Sequence, residues 1–472
     1  MRHRLTPRLL HCVMNLAGCL ALAAPEARAG EAEALRPHII HIVSDDQGWR
    51  DVGFHGSPDI RTPNLDKLAA GGTRLEHFYA TPLCTPTRAA LLTGRYPFRY
   101  GLQSFVIPAS GAYGLPTDER LLPVALKEAG YQTVILGKWH VGHADPKFRP
   151  LQRGFDHHYG YLTSQIDYFT HEVVGVLDWW RDNEPVREKG YSSTLLGDEA
   201  VRVIRDHDPA RPLYLYLAFN APHTPYQAPQ EYLDRCANVA DPTRRTYAAM
   251  ISAMDDQIGR VVEALDQSGM RDQTLIVFHS DNGGLRDPKI AGQTPADPVA
   301  DNSPLRGGKG SLLEGGSRVV ALANWPGRVR AGATVDGLIQ VVDLYPTFVA
   351  LAGGRIDGGK PLDGADVWPT ISRGEPSPRT EIVYNIEPSA AAIRRRDWKL
   401  VWRPALPSSA ELYNLAEDPY ERTDLAARRP DEVAKLQARV NELAATMAPP
   451  LFPPEAIEAT LKLPAALPTA PR

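Results

Sequence analysis

Four apolar stretches of the chain share one construction, a β-branched run that ends abruptly in polar residues. They are PHIIHIVSDDQGW from Pro37, YQTVILGKWHVGH from Tyr131, PLYLYLAFNAPHTP from Pro212 and QTLIVFHSDNGG from Gln273. Apolar residues at successive rather than alternate positions predict strands buried on both faces, as in a parallel or mixed sheet. Between them, TPNLDKLAAGG, LLPVALKEAG and RRTYAAMISAMDDQIGRVVEALDQSG carry helical patterns, the last with clear three-to-four spacing. Strands alternating with helices predict an α/β sandwich around a mostly parallel sheet. Past Trp368 the texture changes to short alternating pieces, TEIVYNI, AAIRRRDWKLVW and AELYNLAEDPYERTDLA, followed by a helical DEVAKLQARVNELAATM. This predicts a small α+β subdomain with an antiparallel sheet, ahead of a Pro/Ala-rich tail.

In open α/β sheets ligands bind beyond the carboxyl ends of the strands. The four runs place Asp45 and Asp46, Lys138 and His140, His223, and Asp281 and Asn282 there. Three carboxylates in one small volume cannot all stay ionised without a cation. With Asn282 they form an all-oxygen set, which suits Ca²⁺ or Mg²⁺ rather than zinc or copper. Neighbouring residues on a strand face opposite ways, so Asp45 and Asp46 share an ion only where the strand has ended.

One further stretch bears on this edge: CTPTRAALLTGRY, from Cys84. Pro86 fits the first turn of a helix and Gly94 its stop. Cys84 then sits at a helix N-terminus, where free amides favour anions, and Arg88 lies one turn on along the same face. Lys138 and Lys309 bring further positive charge to an anionic substrate group.

The 472 residues are 43% hydrophobic and 23% charged, enough for one large domain with a smaller companion. Lys and Arg number 52 against 56 Asp and Glu, a net charge of −4. That leaves no global field to draw nucleic acid. Residues 1–29 have leading arginines, an apolar stretch and Ala27-Arg28-Ala29, the pattern of a cleaved export signal. A lipoprotein box ending at Cys19 competes, but the apolar run continues beyond it, which favours cleavage after Ala29. No later segment is apolar for long enough to span a bilayer. Only Cys84 and Cys236 then remain, too few for a disulfide scaffold, and there is no Asn-x-Ser/Thr acceptor. Both features suit a bacterial periplasm. Trp179, Trp180, His171 and Tyr168 are candidates either for packing or for lining a sugar site. Arg394, Arg395 and Arg396 read as a solvated turn.

CTPTRAALLTGRY resembles the sulfatase signature, in which the cysteine of C-x-P-x-R becomes formylglycine before folding. GKWHVG, RGFDHHYGYL, SDNGG, SPLRGGKGSLLEGG, KPLDGADVW and LYNLAEDPYERTDLA resemble the family's other blocks, in order, over nearly the whole mature chain. The flavour is most similar to arylsulfatase B, the N-acetylgalactosamine-4-sulfatase branch, although Gly310 stands where a tryptophan is expected there.

The resemblance implies an alkaline-phosphatase-like α/β sandwich over residues 36–372, a C-terminal subdomain over 373–448 and a tail over 449–472. It implies that Asp45, Asp46, Asp281, Asn282 and modified Cys84 hold the metal, with Ca²⁺ favoured. Arg88 and His140 would hold the aldehyde hydrate, while Lys138, His223 and Lys309 contact sulfate. The implied partners are a sulfated saccharide, of chondroitin or dermatan 4-sulfate type, and the formylglycine-generating enzyme during maturation. One hydroxyl of the hydrate would attack sulfur and the second expel sulfate, which an unmodified cysteine could not do. Two other readings stay open: a phosphate or phosphonate ester hydrolase of the same superfamily, and a glycan-binding protein in which Cys84 is unmodified.

Overall fold

The four apolar runs are adjacent in one ten-stranded sheet. In the computed structural model, which describes residues 36–286 and 299–452, its strands are β1 (His38–Ser44), β2 (Thr73–Leu75), β3 (Gln132–Lys138), β4 (His157–Tyr161), β5 (Trp180–Arg181), β6 (Glu184–Pro185), β7 (Leu213–Ala218), β8 (Thr274–Ser280), β9 (Ala321–Asn324) and β10 (Ala333–Val335). Their spatial order is β10-β2-β9-β8-β1-β7-β3-β4-β5-β6. The five central strands, β8-β1-β7-β3-β4, are parallel, while β9, β5 and β6 bring antiparallel pairings at the flanks. The export signal, Cys12, Cys19, residues 287–298 and nearly all of the tail lie outside the described residues.

Alternate residues of the central strands feed two separate cores, as the pleat requires. Ile39, Val43, Ile135, Tyr216 and Val277 pack into one. Ile40, Ile42, Leu136, Leu215 and Phe278 pack into the other. Helices α1 (Pro63–Ala70), α2 (Cys84–Thr93), α3 (Leu122–Glu128), α4 (Ser192–Arg205) and α5 (Pro242–Gln267) cover the faces. Helices α2 and α3 pack on the first core, and α1, α4 and α5 on the second. Among the described residues no helix is long and apolar enough to cross a membrane.

One register detail brings the strand tips close. Gly137 of β3 pairs with Ala218 on one side and Gly160 on the other. Its φ is +99°, and a Cβ there would lie 1.9 Å from the Ala218 carbonyl oxygen. Only glycine lets the backbones meet this closely just ahead of Lys138.

The C-terminal pieces form a four-stranded antiparallel sheet, β11 (Glu381–Ile386), β12 (Ala391–Arg395), β13 (Trp398–Arg403) and β14 (Ser409–Asn414). One face, with Val383, Ile393, Leu400 and Leu412, joins the first core together with Leu436, Val440 and Leu443 of α6 (Pro430–Ala444). The other face gathers Ile382, Tyr384, Val401 and Tyr413 around Tyr79. Arg394 is buried against the Tyr79 hydroxyl at 2.7 Å, and Arg395 lies 3.2 Å from Glu381. The triple-arginine stretch is therefore dispersed into separate contacts, with Arg396 making the turn at φ +54°.

Candidate active site

Strand β1 ends at Ser44, and Asp46 adopts φ +65° immediately beyond. This left-handed turn, which Asp tolerates better than most side chains, lets consecutive Asp45 and Asp46 serve one volume. The tip of β8 is tied alongside, with Asp281 N–H donating to the Ser44 carbonyl at 3.0 Å and Asp46 N–H to Asp281 Oδ1 at 3.3 Å. At the tip of β3, His140 also takes a positive φ, +57°.

Helix α2 begins at Cys84, contains Pro86 in its first turn and stops at Gly94 in the left-handed region. The Cys84 thiol lies 3.6 Å from Asp45 Oδ1 and 3.9 Å from Asp46 Oδ1. Each acid has its own cation. Lys138 Nζ donates to Asp45 Oδ2 at 2.6 Å and Lys309 Nζ to Asp46 Oδ2 at 2.7 Å. Arg88 donates to Asp281 Oδ2 through Nε at 3.1 Å and Nη2 at 2.8 Å. It also reaches the Lys138 carbonyl and the Tyr216 hydroxyl. Lys309 is placed by its neighbours: its N–H donates to the Gly284 carbonyl at 3.1 Å, and Gly310 N–H to the Pro82 carbonyl at 2.8 Å. Gly310 has φ +79°, so a tryptophan here would be strained.

The two histidines have defined tautomers. His223 Nδ1 donates to the Thr224 carbonyl at 2.7 Å, leaving Nε2 to accept from Lys309 at 3.2 Å. His140 Nε2 donates to the Ile107 carbonyl at 3.1 Å, leaving Nδ1 buried and unpartnered among the described residues. Burial first, and then the nearby cations, hold both rings neutral: His223 falls to about 3, and His140 lies well below the ordinary histidine value.

The carboxylates are driven apart. Burial, then Asp281, raises Asp45 to about 7 despite Lys138 and Arg88. At Asp46, burial is outweighed by the Lys309 charge and by the hydrogen bonds from Lys309 and Asn282, which hold it below the usual carboxylate range. At Asp281, Arg88 and Lys138 likewise outweigh burial. Burial and the neighbouring Asp281 push the Cys84 thiol up, the reverse of what an activated thiolate needs.

Ligand atoms of Asp45, Asp46, Cys84 and His223 lie within 4.8 Å of one another. Asn282 donates to Asp46 Oδ1 at 2.8 Å, and its Oδ1 is buried without a partner among the described residues. An orphaned carbonyl oxygen beside clustered carboxylates fits a hard divalent cation. His223 stands in this cluster, but its Nε2 already accepts from Lys309, whereas Asp281 turns Oδ2 to Arg88. All ten residues singled out in the sequence meet at this one edge. The sequence did not point to Tyr216 or to Tyr161, whose buried hydroxyl also lacks a partner among the described residues; both sit inside apolar strand runs, where a tyrosine looks like packing. Of the four candidate sugar-site aromatics, Trp179 is buried and stacked on His171, and Tyr168 is buried with its hydroxyl on the Asn220 and His223 carbonyls. Trp180 is partly exposed and lines an open cleft. Cys236 is a buried free thiol.

Sheet, flanking helices and strand-tip cluster together define an alkaline-phosphatase-like hydrolase of anionic esters. The family model described as Sulfatase matches residues 37–354. Arylsulfatase J of Mus musculus is 38% identical over 482 residues, spanning 90% of this chain and 79% of the relative. N-acetylgalactosamine-6-sulfatase of Rattus norvegicus is 35% identical, over 78% of this chain and 70% of the relative. The crystal structure of Ps i-CgsB in complex with k-i-k-neocarrahexaose superposes with a TM-score of 0.81 at 36% identity, covering 90% of this chain and 96% of that one. The chain belongs to the sulfatase family, the hydrolases of sulfuric esters.

Proposed function

We propose that the protein cleaves sulfate monoesters of sulfated sugars, with 4-sulfated N-acetylgalactosamine ends of chondroitin or dermatan as substrate, through a formylglycine made from Cys84. The observation that carries this reading is the state of Cys84. Its thiol is enclosed by carboxylates that suppress the thiolate, yet it stands at a helix N-terminus between two lysines, a place for an anion. A hydrated aldehyde at this position supplies two hydroxyls, one to attack sulfur and one whose deprotonation later releases sulfate and restores the aldehyde.

Asp45, Asp46, Asp281 and Asn282 would hold the ion, Ca²⁺ in preference to Mg²⁺, which supplies charge to the non-bridging sulfate oxygens. Lys138 and Lys309, paired with Asp45 and Asp46 in the structure, would bind the same oxygens. Asp281 would take the proton of the attacking hydroxyl. His140, neutral with Nδ1 free to accept, orients the hydrate, as does Arg88. The leaving alcohol takes a proton from His223 or Lys309, which share a hydrogen bond. The residues of the pattern over 1–29 support export, to the periplasm in a bacterium.

The test is a panel of defined sulfated saccharides assayed for released sulfate, with the matching phosphate esters beside them. Release from 4-sulfated N-acetylgalactosamine ends is expected. Good turnover of another sulfated sugar with none from these ends refutes the substrate, and preference for the phosphate esters refutes the reaction.

A further inference from the structure

A cleft of about 510 Å³ borders the segments that hold His140. His140 N–H donates to the Leu162 carbonyl at 3.1 Å, and its ring donates to the Ile107 carbonyl. Leu162 lines the cleft, as does Ala109, two residues from Ile107. A hairpin over residues 172–177 also lines it, and its tip places Val174 at φ +49° and Gly175 at φ +75°. Val174 is 94% exposed and Val176 65%. Val173 and Val174 also line a smaller cleft with Thr224 and Pro225, directly after His223. The hairpin thus lines both clefts, one beside the segments that hold His140 and one beside the residues that follow His223.

The polar residues lining the cleft are Ser110, His143, Arg149, Thr163 and Asp178. The Arg149 guanidinium lies 4.7 Å over the Trp180 ring, and its Nε donates to the His143 carbonyl at 3.2 Å. Among the described residues no carboxylate pairs with Arg149, and no acceptor meets its two terminal nitrogens. His143 Nε2 donates to the Ala109 carbonyl at 3.0 Å, leaving Nδ1 buried without a partner. Asp178 is already satisfied by the Leu162 and Thr163 amides, the Thr163 hydroxyl and the Trp180 indole. What faces a ligand is a stacked guanidinium fork and an apolar wall suited to the C–H face of a sugar. The volume is that of a small-molecule site.

We propose that this cleft is a second saccharide subsite, which takes the sugar residue adjoining the one whose ester is cleaved and binds a sulfate on that residue through Arg149. The inference rests on the sulfatase reading above. Two tetrasaccharides of equal length test it, one sulfated on the terminal residue alone and one on the terminal and adjoining residues. Calorimetric binding is measured on the full chain carrying Cys84→Ala, and on the same chain with Arg149→Met added. The doubly sulfated sugar binds more tightly; Arg149→Met weakens it by about tenfold, Arg149→Lys by less, and the singly sulfated sugar is unaffected. With Cys84 intact, Arg149→Met raises KM for the doubly sulfated sugar at constant kcat and leaves turnover of a small aryl sulfate unchanged. Equal weakening of both sugars, weakening of neither, or no binding of either overturns the proposal. Charge-selective binding without any sulfate release sinks the sulfatase reading and leaves the subsite standing. Sulfate release without the selective loss sinks the subsite alone.

Discussion

Replacing Lys399 with methionine removes the ammonium held between two buried carboxylates. Lys399 Nζ lies 3.0 Å from Glu314 Oε1 and 2.8 Å from Glu421 Oε1, and none of the three side chains is more than 1% exposed. Glu314 N–H donates to Glu421 Oε2 at 2.8 Å, and the Tyr79 hydroxyl to Glu314 Oε2 at 2.8 Å. Burial raises the Glu421 carboxyl, while Lys399 and two arginines outweigh burial at Glu314. Removing one partner of such a buried group costs about 3–5 kcal/mol, because the remaining charge has neither water nor a counter-ion. At roughly 2 cal/mol/K of unfolding entropy per residue, the melting midpoint falls by about 3–6 °C in a chain of this size. Lys435→Met is the control. Its ammonium is 66% exposed and 3.1 Å from Glu432, a pair worth only about 0.3–0.5 kcal/mol. Differential scanning calorimetry at fixed Ca²⁺ compares the two. The network also anchors the segment bearing Lys309, since Arg306 donates to the Tyr413 hydroxyl at 3.0 Å and the Glu421 carbonyl at 2.9 Å. Turnover of Lys399→Met therefore falls by about tenfold even well below its midpoint. Should Lys399→Met melt together with Lys435→Met, the buried-network argument is wrong.

Chelation is expected to abolish sulfate release and lower the melting midpoint, with Ca²⁺ restoring both. Asn282→Leu should fold yet lose the Ca²⁺-dependent rise, which at a hundredfold excess over Kd amounts to about 2.7 kcal/mol; a wild-type midpoint indifferent to the ion contradicts this. Lys138→Ala and Lys309→Ala should each lower kcat on a small aryl sulfate by about 10²–10³-fold. Lys138→Ala should in addition lower the melting midpoint, since it leaves fully buried Asp45 with only Arg88 at 3.9 Å, whereas Lys309 is 10% exposed and Asp46 keeps the Asn282 amide at 2.8 Å. Steady-state kinetics and thermal scans of the two variants check both statements, and kcat values near wild type would remove the lysines from the mechanism.

The central sheet was legible because parallel strands covered on both faces are largely apolar along their length, and β1, β3, β7 and β8 are. Strand β4 was not: His157-His158-Tyr159-Gly160-Tyr161 is polar and glycine-bearing, and its place is set by Gly160 meeting Gly137 across the ladder. Helix α4 carries Gly197 in its middle, a residue that weakens the helical pattern. It is there because a Cβ would come within 2.3 Å of the Gln257 side chain on α5. The candidate site was legible as residue types at strand tips. The pairings were not, because they join segments far apart in sequence: Arg88 to Asp281, Lys138 to Asp45, Lys309 to Asp46. Nor could spacing show that the small C-terminal sheet braces the segment bearing Lys309, since that depends on a lysine in an alternating strand facing inward. Of the quartet His171, Trp179, Trp180 and Tyr168, composition could not separate three packed rings from the one lining a cleft.

The most direct test of the account is mass spectrometry of the peptide containing Cys84, taken from protein whose sulfate release has been measured, with Cys84→Ala alongside. The account predicts formylglycine at position 84 in proportion to activity, and no release from the alanine variant. Full activity in protein that retains the encoded thiol, or in the variant, would contradict it.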